Sequence, residues 1–239
     1  MDDWNPAAHS FWSLLDEPSR AALMAVGHVS SFPARTHLVR QHESSGHVIV
    51  LRDGCVKVYT DSETGYQAVL AIRSAGDLLG EQAGLDGRPR SASLYALTDV
   101  EALIISSARF SALTSSLPAV ANAVRLVLSN RLRDADRLRT AAGAERVEAR
   151  LAALLLELGE LYGCPVDGGS VRIDLPLTQD DMAGLVLTSR RTVSRILEEW
   201  RSQGLVATGR QAIVVIAPVE LGRCAGAMAK RPGHSSSQE

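Results

Sequence analysis

Residues 177–216 read LTQDDMAGLVLTSRRTVSRILEEWRSQGLVATGRQAIVVI. Thr178 followed by Asp181 is a capping-box spacing, with the carboxylate near the positive end of a helix. Met182, Leu185 and Val186 then fall at i, i+3 and i+4, one buried helical face. Leu187 and Thr188 form a turn, and Ser189 starts a second helix whose apolar stripe is Val193, Ile196, Leu197 and Trp200. Its opposite face carries Arg190, Arg191, Ser194 and Arg195. Gly204 stands where a helix-terminating glycine belongs. Residues 205–207 and 212–216, joined through Thr208-Gly209-Arg210-Gln211, read as a hairpin. Helix, tight turn, helix and two-stranded wing make a winged helix-turn-helix. Arginines clustered at the start of an exposed helix suit a DNA major groove, where guanidinium forks reach guanine O6 and N7 or clamp phosphates. Three arginines alone would also suit a solvated helix face; it is their combination with caps, turn, glycine stop and wing that argues for DNA.

The rest of the composition sets bounds. With 239 residues, 46% hydrophobic and 22% charged, the chain suits one or two globular domains with sizeable cores. No apolar run approaches the roughly 20 residues of a membrane helix, and the acidic start MDDWNPAAHS lacks a signal-peptide core. The expectation is a cytoplasmic chain without membrane contact. Cys55, Cys164 and Cys224 are scattered and odd in number, which offers neither a disulfide framework nor metal-ligand spacing. His37, His42 and His47 recur every five residues across strand, loop and strand, where turn and surface roles compete with ligation. No metal is expected. Net charge is −2, so bulk charge announces no nucleic acid. Within residues 146–223 only the narrower window 188–216 is positive, with Arg190, Arg191, Arg195, Arg201 and Arg210 against Glu198 and Glu199. DNA affinity must come from that patch and should be steeply salt-dependent.

Ahead of the motif, residues 9–26 look like one or two short amphipathic helices. Short β-type runs follow at 47–51, 55–60, 67–72, 93–96 and 102–105, with turns at 43–46, 52–54, 61–65 and 86–89. Such close spacing argues for an antiparallel β-roll or barrel. Residues 106–117 are a helical linker before Pro118, and a long helix is predicted over 119–142. Val124, Leu128, Ala135, Leu138 and Ala142 lie near one stripe, with Arg131 interrupting it. This is a candidate dimer seam, packing on the β-domain being the alternative, and one helix can do both. Gly143 is expected to mark a hinge, 144–163 a further apolar helix, 164–170 a loop and 171–174 a short strand. The expected domains are 9–117, 118–143 and 144–222, with 223–239 a disordered polar tail.

Residues 76–92, GDLLGEQAGLDGRPRSA, hold Gly76, Gly80, Gly84 and Gly87 before Arg90-Ser91. Glycines let backbone N–H groups approach an anion, Arg90 supplies a fork and Ser91 a hydroxyl, while Glu81 could accept from a ribose hydroxyl. A glycine-rich turn also simply connects strands; Gly80-Glu81 followed by Arg90-Ser91-Ala92 inside a β-roll is more specific.

On the β-roll glycines Gly46 and Gly54, this cassette, the long helix and LTQDDMAGLVLTSRRTVSRIL, the chain resembles, over roughly residues 9–222, the cyclic-AMP receptor protein/fumarate-nitrate regulator (CRP/FNR) family of bacterial transcription regulators. The resemblance implies an α+β architecture: an N-terminal cyclic-nucleotide-binding β-roll (double-stranded β-helix or jelly roll), a long dimerisation helix and the C-terminal winged helix-turn-helix. It implies effector contacts from Gly80, Glu81, Gln82, Arg90, Ser91, Ala135 and Asp136. The candidate DNA-binding set is Thr178, Ser189, Arg190, Arg191, Thr192, Ser194, Arg195 and Arg210, with Ser189 and Thr192 near the backbone. The implied dimer seam is Val124, Leu128, Arg131, Ala135, Leu138 and Ala142.

Two positions depart from the family. Counted back from Arg150, the Thr-Ser pair that contacts the purine in cyclic-AMP receptors falls on Ala135 and Asp136, neither with a hydroxyl. Asp136 could accept from guanine N1–H and N2–H or be a solvated helix charge. Arg191 stands where family members often place a cytosine-reading glutamate, so the operator should differ. The N-terminal cysteine cluster of the iron–sulfur oxygen sensors is absent from the sequence.

The function expected is a homodimeric regulator reading a near-palindromic double-stranded operator. No cofactor is required, and the effector is cyclic AMP, cyclic GMP or cyclic di-GMP. RNA polymerase is a further partner if the chain activates. The alternatives are the same regulator acting constitutively or with another ligand, and a nucleotide-binding module without DNA binding. No nucleophile–base arrangement or P-loop suggests an enzyme.

Overall fold

The computed structural model describes residues 10–62, 67–209 and 212–226, and its contacts divide the chain into two units, Met1–Arg137 and Leu138–Glu239. Arg210 and Gln211 of the expected wing turn, part of the 61–65 turn and most of the expected tail therefore lie outside the described residues.

The first unit opens with a 3-10 turn at Trp12–Leu14 and α1 (Glu17–Val26), started by Asp16, whose side chain accepts from Ser19 N. Eight strands follow: β1 (His28–Phe32), β2 (His37–Val39), β3 (His47–Asp53), β4 (Val56–Asp61), β5 (Gln67–Arg73), β6 (Leu78–Leu79), then, after α2 (Glu81–Asp86), β7 (Ser93–Ala96) and β8 (Val100–Ser106). They form two four-stranded antiparallel sheets, β1-β8-β3-β6 and β2-β7-β4-β5. Alternation along β3 assigns its two faces. Ile49 and Leu51 join Val39, Val56, Leu79, Leu94, Ala96 and Ala102 inside the roll. Val48 and Val50 meet the helices on the other side, with Phe11, Leu23, Phe110, Val120 and Val124. Burial on both faces explains why 47–51 reads as a nearly unbroken apolar run. Strand β1, unmarked in the sequence, and β2, the strand expected at His37, lie at sheet edges.

After α3 (Ser107–Ser116) the long helix α4 runs over Pro118–Ala144, Pro118 occupying a first-turn position where its missing N–H costs nothing. Gly143 is not the break: it lies within the last turn, and the chain turns at Arg146, whose ψ of 148° is extended.

The second unit starts with α5 (Val147–Tyr162), followed by β9 (Gly163–Val166), β10 (Ser170–Ile173), α6 (Gln179–Leu185), α7 (Arg190–Ser202), β11 (Val206–Thr208), β12 (Ile213–Val215) and α8 (Pro218–Cys224). The sheet order is β11-β12-β10-β9. The wing is therefore part of a four-stranded sheet, and much of the expected 164–170 loop is strand β9, which pairs with β10 through Arg172 and Cys164. Helix α8 reaches Cys224, so ordered structure passes the expected boundary at 222. Leu151, Leu155, Met182, Val193, Ile196, Leu197, Trp200, Val206, Val215 and Leu221 are buried here. Among the described residues no single helix is long and apolar enough to cross a membrane.

Candidate effector and DNA-binding sites

The 76–92 stretch folds as β6, a left-handed Gly80, the short helix α2 and a left-handed Gly87. Gly80 (φ 69°) has no room for a side chain: a Cβ would collide with Arg90 Nη1. Gly84 is equally constrained, a Cβ there meeting Val48 Cγ2 at 2.5 Å.

The fold brings Gly80, Glu81, Gln82, Arg90 and Ser91 together, in two layers. Glu81 and Arg90 are buried, 4% and 2% exposed, while Gln82 and Ser91 are at the surface. Arg90, expected as an open phosphate fork, instead turns its guanidinium onto the chain itself. Nε donates to Ser45 Oγ (2.7 Å), Nη1 to Gly80 O (3.0 Å) and Nη2 to His47 O (2.6 Å). Burial lowers its pKa against the opposing pull of Glu43 and Glu81. The His47 ring is likewise held below its usual range, by burial first and then by the Arg90 charge. In the surface layer Ser91 Oγ donates to Gln82 Oε1 (2.9 Å).

Glu81 is joined to the long helix. Arg131 Nη1 donates to Glu81 Oε1 at 2.7 Å and Nη2 to Leu78 O at 2.6 Å. Arg131, expected in the dimer seam, thus has its guanidinium committed within its own protomer. The expected stripe changes character at this point. Val124 is in the core between the roll and its helices and Leu128 packs against it, while Ala135 and Asp136 are exposed and Leu138 and Ala142 half-buried. Ala135 and Asp136 lie one turn beyond Arg131.

In the second unit Thr178 caps α6. Its Oγ1 accepts from Asp181 N (3.1 Å), and Asp181 Oδ2 accepts from Thr178 N (2.9 Å) and from Thr178 Oγ1 (2.8 Å). Ser189 caps α7 by accepting from Thr192 N. Both hydroxyls expected to meet DNA therefore also build helix starts. Gly204 (φ 70°) ends α7 in the left-handed conformation. Arg190, Arg191, Ser194 and Arg195 line an open concavity of about 420 Å³ together with Gln179 and Glu198. Arg190 and Arg195 side chains are 68% and 61% exposed. Fixed geometry beneath, exposed cations above: this surface can take a polyanion.

One residue of the site was missed in the sequence. Arg150 is buried and joins the start of α5 to the turn between α6 and α7. Nη1 donates to Glu145 O (2.6 Å) and Ala141 O (3.4 Å), Nε to Val186 O (3.0 Å) and Nη2 to Leu187 O (3.5 Å). Leu187 holds a positive φ of 51°, rare for a branched side chain, so this turn needs outside support. The available signal was an arginine set among the apolar residues of 147–155.

A cyclic nucleotide-binding domain family matches residues 29–116, and a Crp-like helix-turn-helix domain family matches residues 149–224. The chain belongs to the CRP/FNR family. It is a DNA-binding transcription regulator that carries a cyclic nucleotide-binding domain. This CRP/FNR chain is 27% identical over 200 residues to the CRP-like cAMP-activated global transcriptional regulator of Mycobacterium tuberculosis, covering 83% of this chain and 89% of that one. To the cAMP-activated global transcriptional regulator CRP of Escherichia coli it is 27% identical over 202 residues, covering 83% and 94%. Its fold is similar to that of the c-di-GMP responsive global regulator CLP of Xanthomonas campestris, with a TM-score of 0.73, 22% identity and coverage of 84% and 100%.

Proposed function

We propose that the chain is a homodimer that reads a near-palindromic operator, and that a cyclic nucleotide seated at the Gly80–Ser91 cassette sets its DNA affinity. The observation that carries this reading is the Glu81–Arg131 pair, which ties the cassette to the long helix at 2.7 Å. A ligand that competes for Glu81 disturbs α4 directly. The helix then biases the pose of two DNA-binding units, a population shift between two arrangements. Two recognition helices roughly 34 Å apart would engage successive major grooves. The distal stripe Ala135, Leu138 and Ala142 is the dimer seam, and Thr178, Ser189, Arg190, Arg191, Thr192, Ser194, Arg195 and Arg210 form the DNA face. As an activator the dimer would also touch RNA polymerase.

Arg90 favours a second reading, in which DNA binding is constitutive or answers another ligand, because three acceptors of the chain already occupy its guanidinium. Isothermal titration with cyclic AMP, cyclic GMP and cyclic di-GMP separates the two. Heat with one of them at micromolar concentration, lost in Ser91→Ala and Arg90→Lys, supports the first. No heat with all three supports the second. A gel shift with the chain's own upstream region tests the DNA face: Arg190→Ala and Arg195→Ala should each weaken binding, and retention at parental affinity would overturn the assignment.

A further inference from the structure

The three arginines of the recognition face are not equivalent. Arg195 Nη2 donates to Glu148 Oε1 at 3.2 Å, and its Nη1 lies 3.7 Å from Glu199 Oε2. Arg190 Nη1 lies 3.6 Å from Asp180 Oδ2. Arg191 makes no ion pair or hydrogen bond among the described residues. Glu148 differs from the other two carboxylates. It comes from the first turn of α5, 47 residues away in sequence, and its side chain is 31% exposed against 53% for Glu199 and 65% for Asp180. Its carboxyl group is held below the usual range by its own backbone N–H, and also by Arg195 and Arg146. It is therefore an anion anchored by a separate helix and pressed against the DNA-facing surface.

We propose that Glu148 is a specificity-determining residue of the DNA interface: it withholds Arg195 from indiscriminate phosphate contact and presents it in one pose to the target site. The inference rests on the DNA-binding reading above. Non-specific binding is almost wholly electrostatic, and each cation freed to meet a phosphate steepens the log–log salt dependence by about 0.9. A guanidinium already paired with a carboxylate must give up that partner to bind a phosphate. On random DNA nothing offsets this cost. On the target, base contacts do, so Glu148 penalises wrong sites more than right ones. In a chain of net charge −2, a single carboxylate at this position weighs heavily.

The test uses the full chain and two duplexes of equal length: a site selected by the parent protein from a random pool, and a scrambled one. Fluorescence anisotropy over a salt series gives affinity and slope for the parent, Glu148→Gln, Arg195→Ala and the double variant. Glu148→Gln should bind the scrambled duplex about tenfold tighter and steepen its slope by about one, while affinity for the selected site rises by about twofold. Specificity then falls about fivefold. In the Arg195→Ala background the Glu148→Gln change should have no further effect. Three results would overturn the proposal. The slope and the specificity ratio stay parental in Glu148→Gln; the same gain persists without Arg195, which marks bulk charge alone; or both affinities fall together with the melting temperature, which marks a structural role in α5. If selection yields no site, or Arg195→Ala binds like the parent, the DNA-face assignment itself fails and this inference with it.

Discussion

A buried arginine and two half-buried histidines give the sharpest expectations at the scale of single residues. Arg150→Met keeps the aliphatic stem but leaves the carbonyls of Val186 and Glu145 without their donor. The buried Val186 carbonyl left unpaired costs about 1–3 kcal/mol, and the second unit should lose about that much. Calorimetry should show its transition several degrees lower, and a parental transition would mean the clamp is dispensable. In the roll, burial holds the pKa of both His47 and His37 below 6.5. The unfolded chain therefore protonates first as pH falls. The contribution of these rings is complete above pH 6.5 and is lost as pH drops from 6.5 toward the folded values. Urea midpoints should decline across that window, and His47→Asn should flatten the decline. Cys55 offers a separate check. Burial raises its thiol to about 11, whereas Cys164 and Cys224 are exposed. Two thiols should react with a disulfide reagent at mildly alkaline pH, and the third only on unfolding. None of the Arg90 geometry was legible beforehand, because its acceptors Ser45 and His47 lie more than forty residues away.

Among the elements, α4 shows most clearly what periodicity does and does not encode. One stripe was visible in the sequence, but its two halves have different surroundings. Val120, Ala123, Val124 and Val127 belong to the core between the roll and its helices, and past Arg131 the helix continues with Leu132, 64% exposed, and half-buried Leu138 and Ala142. Sequence spacing cannot say where the supporting sheet ends. The same limit explains Gly143: glycine permits a break, yet the hydrogen-bonded turn carries on to Ala144, and extended Arg146 makes the bend. By contrast α6 and α7 were legible almost to the residue, since capping box, serine cap and glycine stop are local signals. Strands β1 and β9, HVSSF and GCPV, escaped notice for want of clean alternation, and pairing with β8 and β10 decides them. The division of α4 predicts two distinct phenotypes. Leu138→Glu should convert dimer to monomer by sedimentation without unfolding the roll. Val124→Ala should destabilise the roll by about 2 kcal/mol while leaving the dimer intact. A dimer surviving Leu138→Glu would remove α4 from the seam.

At the scale of the whole molecule, Arg131 fastens the long helix to Glu81 of the cassette, and the proposed regulation requires that helix to carry the effect of a bound nucleotide to the arginines on α7. Such coupling is reciprocal and typically amounts to about 5–150-fold in affinity. Ala135 and Asp136 carry neither hydroxyl of the cyclic-AMP receptors, and both are exposed; under the proposed reading, Asp136 either accepts from a guanine edge, which would favour cyclic GMP or cyclic di-GMP, or is a solvated helix charge that sets no preference. The decisive measurement is the affinity of the full chain for its selected operator at fixed salt, with each of the three nucleotides and without any. At least about tenfold tightening with one nucleotide, abolished in Ser91→Ala, is expected. Equal affinity under all four conditions would contradict it.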